Sequence, residues 1–170
     1  MSNATHDRHP RAVALIATLQ MQPHPEGGWY AEVFRSTHTV QAHDDRPARA
    51  ALTSIDFLLE AGQASAWHRV RSDEVWHLLE GAALLLWLLP PQGGPLQCVR
   101  LAADGLRRHV VPADWWQAAE PGGDPAGHDF AYVGATVGPG FDFADFSFGR
   151  DDERFKAALQ QHAPQTLRLL

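Results

Sequence analysis

The chain has 170 residues, enough to bury a core without disulfides or a structural metal, and its 45% apolar and 20% charged content is that of a globular protein. A formal net charge of −6 and a pI near 5.9, with no run of Lys and Arg, exclude the basic patch that nucleic acid or an anionic membrane surface requires. Cys98 stands alone, which rules out an intrachain disulfide and a CxxC zinc site.

Residues 1–9 read as a flexible polar tail that lacks the apolar stretch of a signal peptide, and residues 10–170 as a single domain. The first element is a short helix. Pro10 suits its first turn, Ala12, Leu15, Ile16 and Leu19 recur at helical spacing, and Pro23 and Pro25 stop it. Strands follow. Trp29 to Arg35 is aromatic and β-branched, Val40 to Arg49 is a polar loop with Pro47, and Ala51 to Leu59 is a second strand. Ser65 to Val70 and Glu74 to Leu79 flank a turn at Arg71–Ser72–Asp73. Ala82 to Leu89 is wholly apolar, as a strand buried on both faces would be. It is also far too short to span a bilayer as a helix, so the expectation is a soluble, unsecreted, cytoplasmic protein.

After the Pro–Gly loop 90–95 come strands at Leu96 to Leu101, Arg107 to Val111 and Trp115 to Ala119. The loop 120–127 precedes a strand at Asp129 to Val137. In Phe141 to Phe148 the aromatics slip by one position, which predicts a β-bulge, and the four Phe read as core. Asp142 and Asp145 read as turn acceptors. Asp151 caps a last helix with Phe155, Ala158, Leu159 and His162 on one face. About ten short strands with a helix only at each end predict an all-β sandwich or barrel.

The polar constellation is densest in GQASAWHRVRSDEVWHLLEG, Gly62 to Gly81, where His68, Glu74 and His77 fall in or beside adjacent strands. Imidazole and carboxylate together suit a divalent metal or proton transfer. Strand parity restricts the choice. If His68 and Glu74 point inward, Val70, Trp76 and Leu78 follow them, and His77 faces away unless a bulge intervenes.

The run Gly62, His68, Val70, Glu74, Gly81 resembles the first cupin motif, with Val70 where a second His stands in that motif. Gly105 to Gln117 is similar to the second motif, with Asp114 in place of Gly and Gln117 in place of His. The stretches HPEGGWYAEVFRS, Thr53 to Leu59, SAWHRVRSDEVWHLLEG, VVPADWWQAA and YVGATVGPGFDFADF resemble, in order, the DUF985 or cupin-5 family. The resemblance implies a cupin jelly-roll β-barrel and usually a homodimer, with no established reaction. It also implies a metal site of three His and one Glu in a typical cupin. Here only His68 and Glu74 keep their types, Val70 has no donor and Gln117 offers a weak neutral oxygen, so no cofactor is expected and a divalent metal is disfavoured.

The leading expectation is therefore a metal-independent cupin that binds a small polar metabolite, a sugar, nucleotide or organic acid. By analogy with metal-free sugar-nucleotide epimerases of the same fold, it would act as an isomerase or epimerase with His68 as base, Glu74 orienting it and Tyr30 as acid. Glu26, Glu32, Arg35, Trp76, His77 and Gln117 complete the candidate ligand-binding set. In it Arg35 is either a clamp for a carboxylate or phosphate or the partner of Glu26 or Glu32. The alternatives are a depleted metal site of His68, Glu74, His77 and Gln117, and a non-catalytic sensor or interaction module.

Overall fold

The computed structural model describes residues 8–123 and 129–170. Residues 1–7 of the expected tail and 124–127 of the expected loop lie outside the described residues. The last two tail residues are anchored: Arg8 makes a two-pronged pair with Glu60, and the His9 imidazole caps the first helix by accepting from the Arg11 N–H. That helix, α1 (Pro10–Thr18), carries Pro10 in its first turn.

Thirteen strands follow among the described residues. The first five are β1 (Gln22–Pro23), β2 (Trp29–Arg35), β3 (Thr39–Val40), β4 (Arg49–Ala50) and β5 (Thr53–Glu60). Next come β6 (Ser65–Val70), β7 (Asp73–Gly81), β8 (Leu84–Leu89) and β9 (Gln97–Leu101). The last four are β10 (Arg108–Val111), β11 (Trp116–Pro121), β12 (Phe130–Gly138) and β13 (Phe146–Phe148). A second helix, α2 (Glu153–His162), and a terminal 3-10 segment, Pro164–Leu169, close the chain.

The strands form two antiparallel sheets, ordered β1-β2-β5-β12-β7-β10 and β13-β6-β11-β8-β9. The short ribbon β3–β4 pairs the two ends of the expected 40–49 loop. Between the sheets, Phe57, Trp76, Leu78, Leu86, Leu88 and Val133 belong to one buried apolar cluster. Outside the second sheet, Trp67, Trp116, Phe155 and Leu159 form another cluster. The β8 strand contributes to both, so its unbroken apolar run is explained by burial on both faces. Outside the first sheet, Leu15 of α1 packs on Leu58 and Phe130.

Four expectations need correction. Phe141 to Phe148 is not one bulged strand. Asp142 Oδ1 accepts from the Ala144 N–H at 2.8 Å, which turns 143–145 into a 3-10 helix and leaves only β13 extended. Asp145 is not a turn acceptor but a buried carboxylate gripped by Arg46 and Arg49. The last helix is capped by Asp152 rather than Asp151, through Oδ1 and the Phe155 N–H. Phe155 and Leu159 are buried, whereas His162 is exposed.

The turn at His24–Gly28 sets up the site. Gly27 has φ +112°, and a Cβ there would stand 2.1 Å from the Ala64 carbonyl oxygen. Gly62 also has a positive φ, +77°, but nothing lies within 4 Å of its missing Cβ. Both alanine substitutions meet backbone strain, and only one meets a collision. Gly62→Ala should cost about 1 kcal/mol of unfolding free energy. Gly27→Ala should cost at least about 3 kcal/mol, because the backbone must also move. Denaturant unfolding of the two variants checks this, and equal losses would contradict it.

Candidate functional site

A cavity of about 300 Å³ lies between the sheets. Its wall follows from strand alternation. On β6, Trp67 faces the outer cluster while His68 and Val70 face inward. The turn at Arg71–Ser72 then carries the chain to the other sheet, where Glu74, Trp76 and Leu78 are buried on alternate positions of β7. Glu74 lines the cavity, and Trp76 and Leu78 continue into the packed core. His77 takes the opposite parity and is paired in register with Gly134 and Arg108, so it points away from the cavity.

Of the remaining candidates, Glu26, Tyr30, Glu32 and Arg35 line the cavity. Gln117 does not; it is buried behind Glu74. Its amide Oε1 accepts from the Trp76 indole at 2.9 Å and its Nε2 donates to Glu74 Oε2.

Glu26 and His68 are the central pair. Glu26 is held by its own carbonyl, which accepts from the Ala66 N–H, and by Ser65 Oγ, which donates to Oε1 at 3.0 Å. The His68 Nδ1 lies 2.7 Å from the Ala66 carbonyl. A carbonyl only accepts, so Nδ1 carries the proton and the neutral ring leaves Nε2 bare. That Nε2 faces Glu26 Oε2 at 3.3 Å. His68 is 2% exposed, Glu74 7% and Glu26 9%. Burial drives all three toward their neutral forms: it pushes the Glu26 carboxyl up and the His68 imidazole down. The same desolvation raises Glu74 from its ordinary 4.5 to about 7, against the opposing pull of His68.

At the mouth, Arg35 donates to both oxygens of Glu32, at 3.1 and 2.7 Å, and to the Phe141 carbonyl at 3.2 Å. Residues three apart on a regular strand would face opposite ways. The register of β2 against β5 shifts between Glu32 and Phe34, and this bulge turns both side chains to the cavity.

Several wall residues escaped the sequence reading. His24 lines the cavity with Nδ1 3.8 Å from Glu26 Oε2 and its ring edge-on to Tyr30. It stood two positions before Glu26 within a quoted stretch, which was its only signal. Phe141, Phe143 and Phe146, read as core, line the cavity instead, and Phe143 is 53% exposed. Periodicity marks a buried face but does not distinguish a packed core from a cavity wall.

The cupin superfamily family DUF985 matches the chain over residues 13–149. The chain belongs to this family. Among solved structures, this DUF985 cupin is similar to a hypothetical protein from Leishmania major, at 31% identity over 91% of this chain and 93% of that one, with a TM-score of 0.77. It is also similar to a protein from Shewanella oneidensis, at 31% identity over 97% and 92% of the two chains, with a TM-score of 0.71. The fold alone is shared with CapF, a capsular polysaccharide assembling protein from Staphylococcus aureus, at 14% identity over 75% of this chain and 31% of that one, with a TM-score of 0.56. No curated protein sequence matches the chain.

The three-His, one-Glu donor set that the cupin motif implies is not assembled at the motif positions of this DUF985 cupin. Val70 presents a hydrocarbon to the cavity, the Gln117 oxygen is spent on an indole, and His77 faces the other way. One imidazole, His68, and one carboxyl, Glu74, remain of that set.

The raised Glu74 carboxyl makes stability depend on pH. The folded chain holds this proton more tightly than the unfolded one, so the stabilisation is present below pH 4.5 and is lost as pH rises through about 7. At about 1.4 kcal/mol per unit, the loss is about 3 kcal/mol. Gln mimics the protonated acid, so Glu74→Gln should be more stable than wild type near pH 8, and the gap should close near pH 5. Thermal unfolding across this range measures it. A gap that does not change with pH would remove the buried carboxyl as its source.

Proposed function

We propose that this cupin binds a small polar metabolite in its cavity and moves a proton on it, in the manner of an isomerase or epimerase. The observation that supports this reading most strongly is the burial of His68, Glu26 and Glu74 together in the wall of one cavity. Ionisable groups this buried carry an energetic penalty, and such penalties cluster where proton transfer is the task. His68 Nε2 and Glu26 hold one proton between them, and Glu74, titrating near neutral pH, can give or take another. The Ala66 carbonyl, rather than Glu74, sets the imidazole tautomer. The Tyr30 hydroxyl takes part in no hydrogen bond among the described residues and is available as a second donor at the cavity wall.

Exchange with solvent tests this reading. Wild-type protein is incubated in D₂O with glucose, fructose, glucosamine and glucuronate, and carbon-bound deuterium is followed by NMR. Incorporation is expected into a sugar that binds. His68→Ala and Glu26→Gln should each slow it by about 10²- to 10⁴-fold. If no bound sugar gains deuterium faster with wild type than with His68→Ala, the protein is a binding module and not an enzyme of this kind.

A further inference from the structure

We infer that the ligand of the cavity carries an ammonium group. This deepens the proton-transfer reading and takes its cavity from that reading. The charge balance is the first reason. Glu26, Glu32, Glu74 and Asp142 line the cavity against a single guanidinium, Arg35, and that guanidinium is already committed to Glu32 and the Phe141 carbonyl. Burial pushes the two imidazoles, His24 and His68, toward neutrality, as it does the carboxyls of Glu26 and Glu74. An entering carboxylate or phosphate would meet no uncommitted cation, whereas an ammonium would hold Glu26 and Glu74, which burial alone pushes toward neutrality, in their charged forms.

The second reason is an oxygen left over. Glu74 is more than nine-tenths buried and lines the cavity, yet only its Oε2 is engaged, by Gln117; no described residue donates to Oε1. A carboxyl oxygen that is accessible only from a cavity takes its donor from what enters the cavity, and a cationic donor satisfies it best.

The third is the aromatic part of the wall. Phe141, Phe143 and Phe146 lie with ring centroids 5.0 to 6.1 Å from one another, and Tyr30 lines the same space. Aromatic faces attract a desolvated organic cation. The cavity has room for a ligand of hexose size.

Glucosamine, glucose and glucuronate differ in charge but little in size, and tetramethylammonium presents the cation alone. Titration calorimetry of the wild-type chain with each probe at neutral pH should give saturable binding of glucosamine and tetramethylammonium. Glucosamine should bind at least about tenfold tighter than glucose, and glucuronate weakest of all. Glu74→Gln should weaken glucosamine about tenfold, and at least about fivefold more than it weakens glucose. Phe143→Ala removes a half-exposed ring with little effect on folding, and it should weaken tetramethylammonium about threefold or more. Glucose or glucuronate binding as tightly as glucosamine would overturn the inference, as would the absence of saturable binding by either cation. Deuterium exchange into a neutral or anionic sugar with no preference for cations would overturn it while leaving proton transfer standing. Tight cation binding without exchange would do the reverse.

Discussion

Taking Glu26, His68 and Glu74 out of water costs free energy that the rest of the barrel must offset. Each ion placed in such surroundings is disfavoured, so the groups drift toward neutrality unless a partner holds their charge. The barrel supplies partners one atom at a time: Ser65 for one oxygen of Glu26, Gln117 for one oxygen of Glu74, the Ala66 carbonyl for Nδ1 of His68. The apolar cluster around Phe57, Trp76 and Leu88 provides the stability against which this cost is set. The interior beyond Trp76 is packed with hydrocarbon.

The wall of the cavity is tied to the strands that carry the buried groups. Arg49 donates to both oxygens of Asp145, at 2.9 and 3.0 Å, and Arg46 reaches Asp145 Oδ2 at 3.3 Å. Asp145 sits between the wall residues Phe143 and Phe146. Arg46 also donates to Ser72 Oγ at 3.0 Å, and Ser72 is in the turn that joins His68's strand to Glu74's. One buried guanidinium therefore links the aromatic segment to the crossover between the sheets. Because Arg46 is buried, this linkage is screened less by solvent than a surface pair would be.

How much of this was legible in the sequence depended on whether one strand or several decided the outcome. Parity along β7 alone places Glu74 inside and His77 outside, and this could be read from residue spacing. The joint placement of Glu32 and Arg35 could not. Three-residue spacing predicts opposite faces, and the bulge at Val33 that reverses this arises from pairing with β5. Likewise, the phase slip from Phe143 to Phe146 fits a bulge or a 3-10 turn equally well until the Asp142 side chain is seen capping Ala144. His24 was hidden for another reason. Its proximity to Glu26 comes from the His24–Gly28 turn, closed by the Gly27 N–H donating to the His24 carbonyl, and a spacing of two does not reveal that conformation.

Gln117 shows how a residue outside the cavity can dictate the chemistry inside it. The Trp76 indole can only donate, so the amide oxygen of Gln117 must face it and the amide N–H must face Glu74. Glu74 Oε2 is then an acceptor whatever the charge of the carboxyl, and a proton bound to Glu74 belongs on Oε1. The same logic fixes His68, where the Ala66 carbonyl claims Nδ1–H and leaves Nε2 as the exchangeable site. At this position the amide converts a motif associated with metal ligands into one that assigns a proton to a particular oxygen.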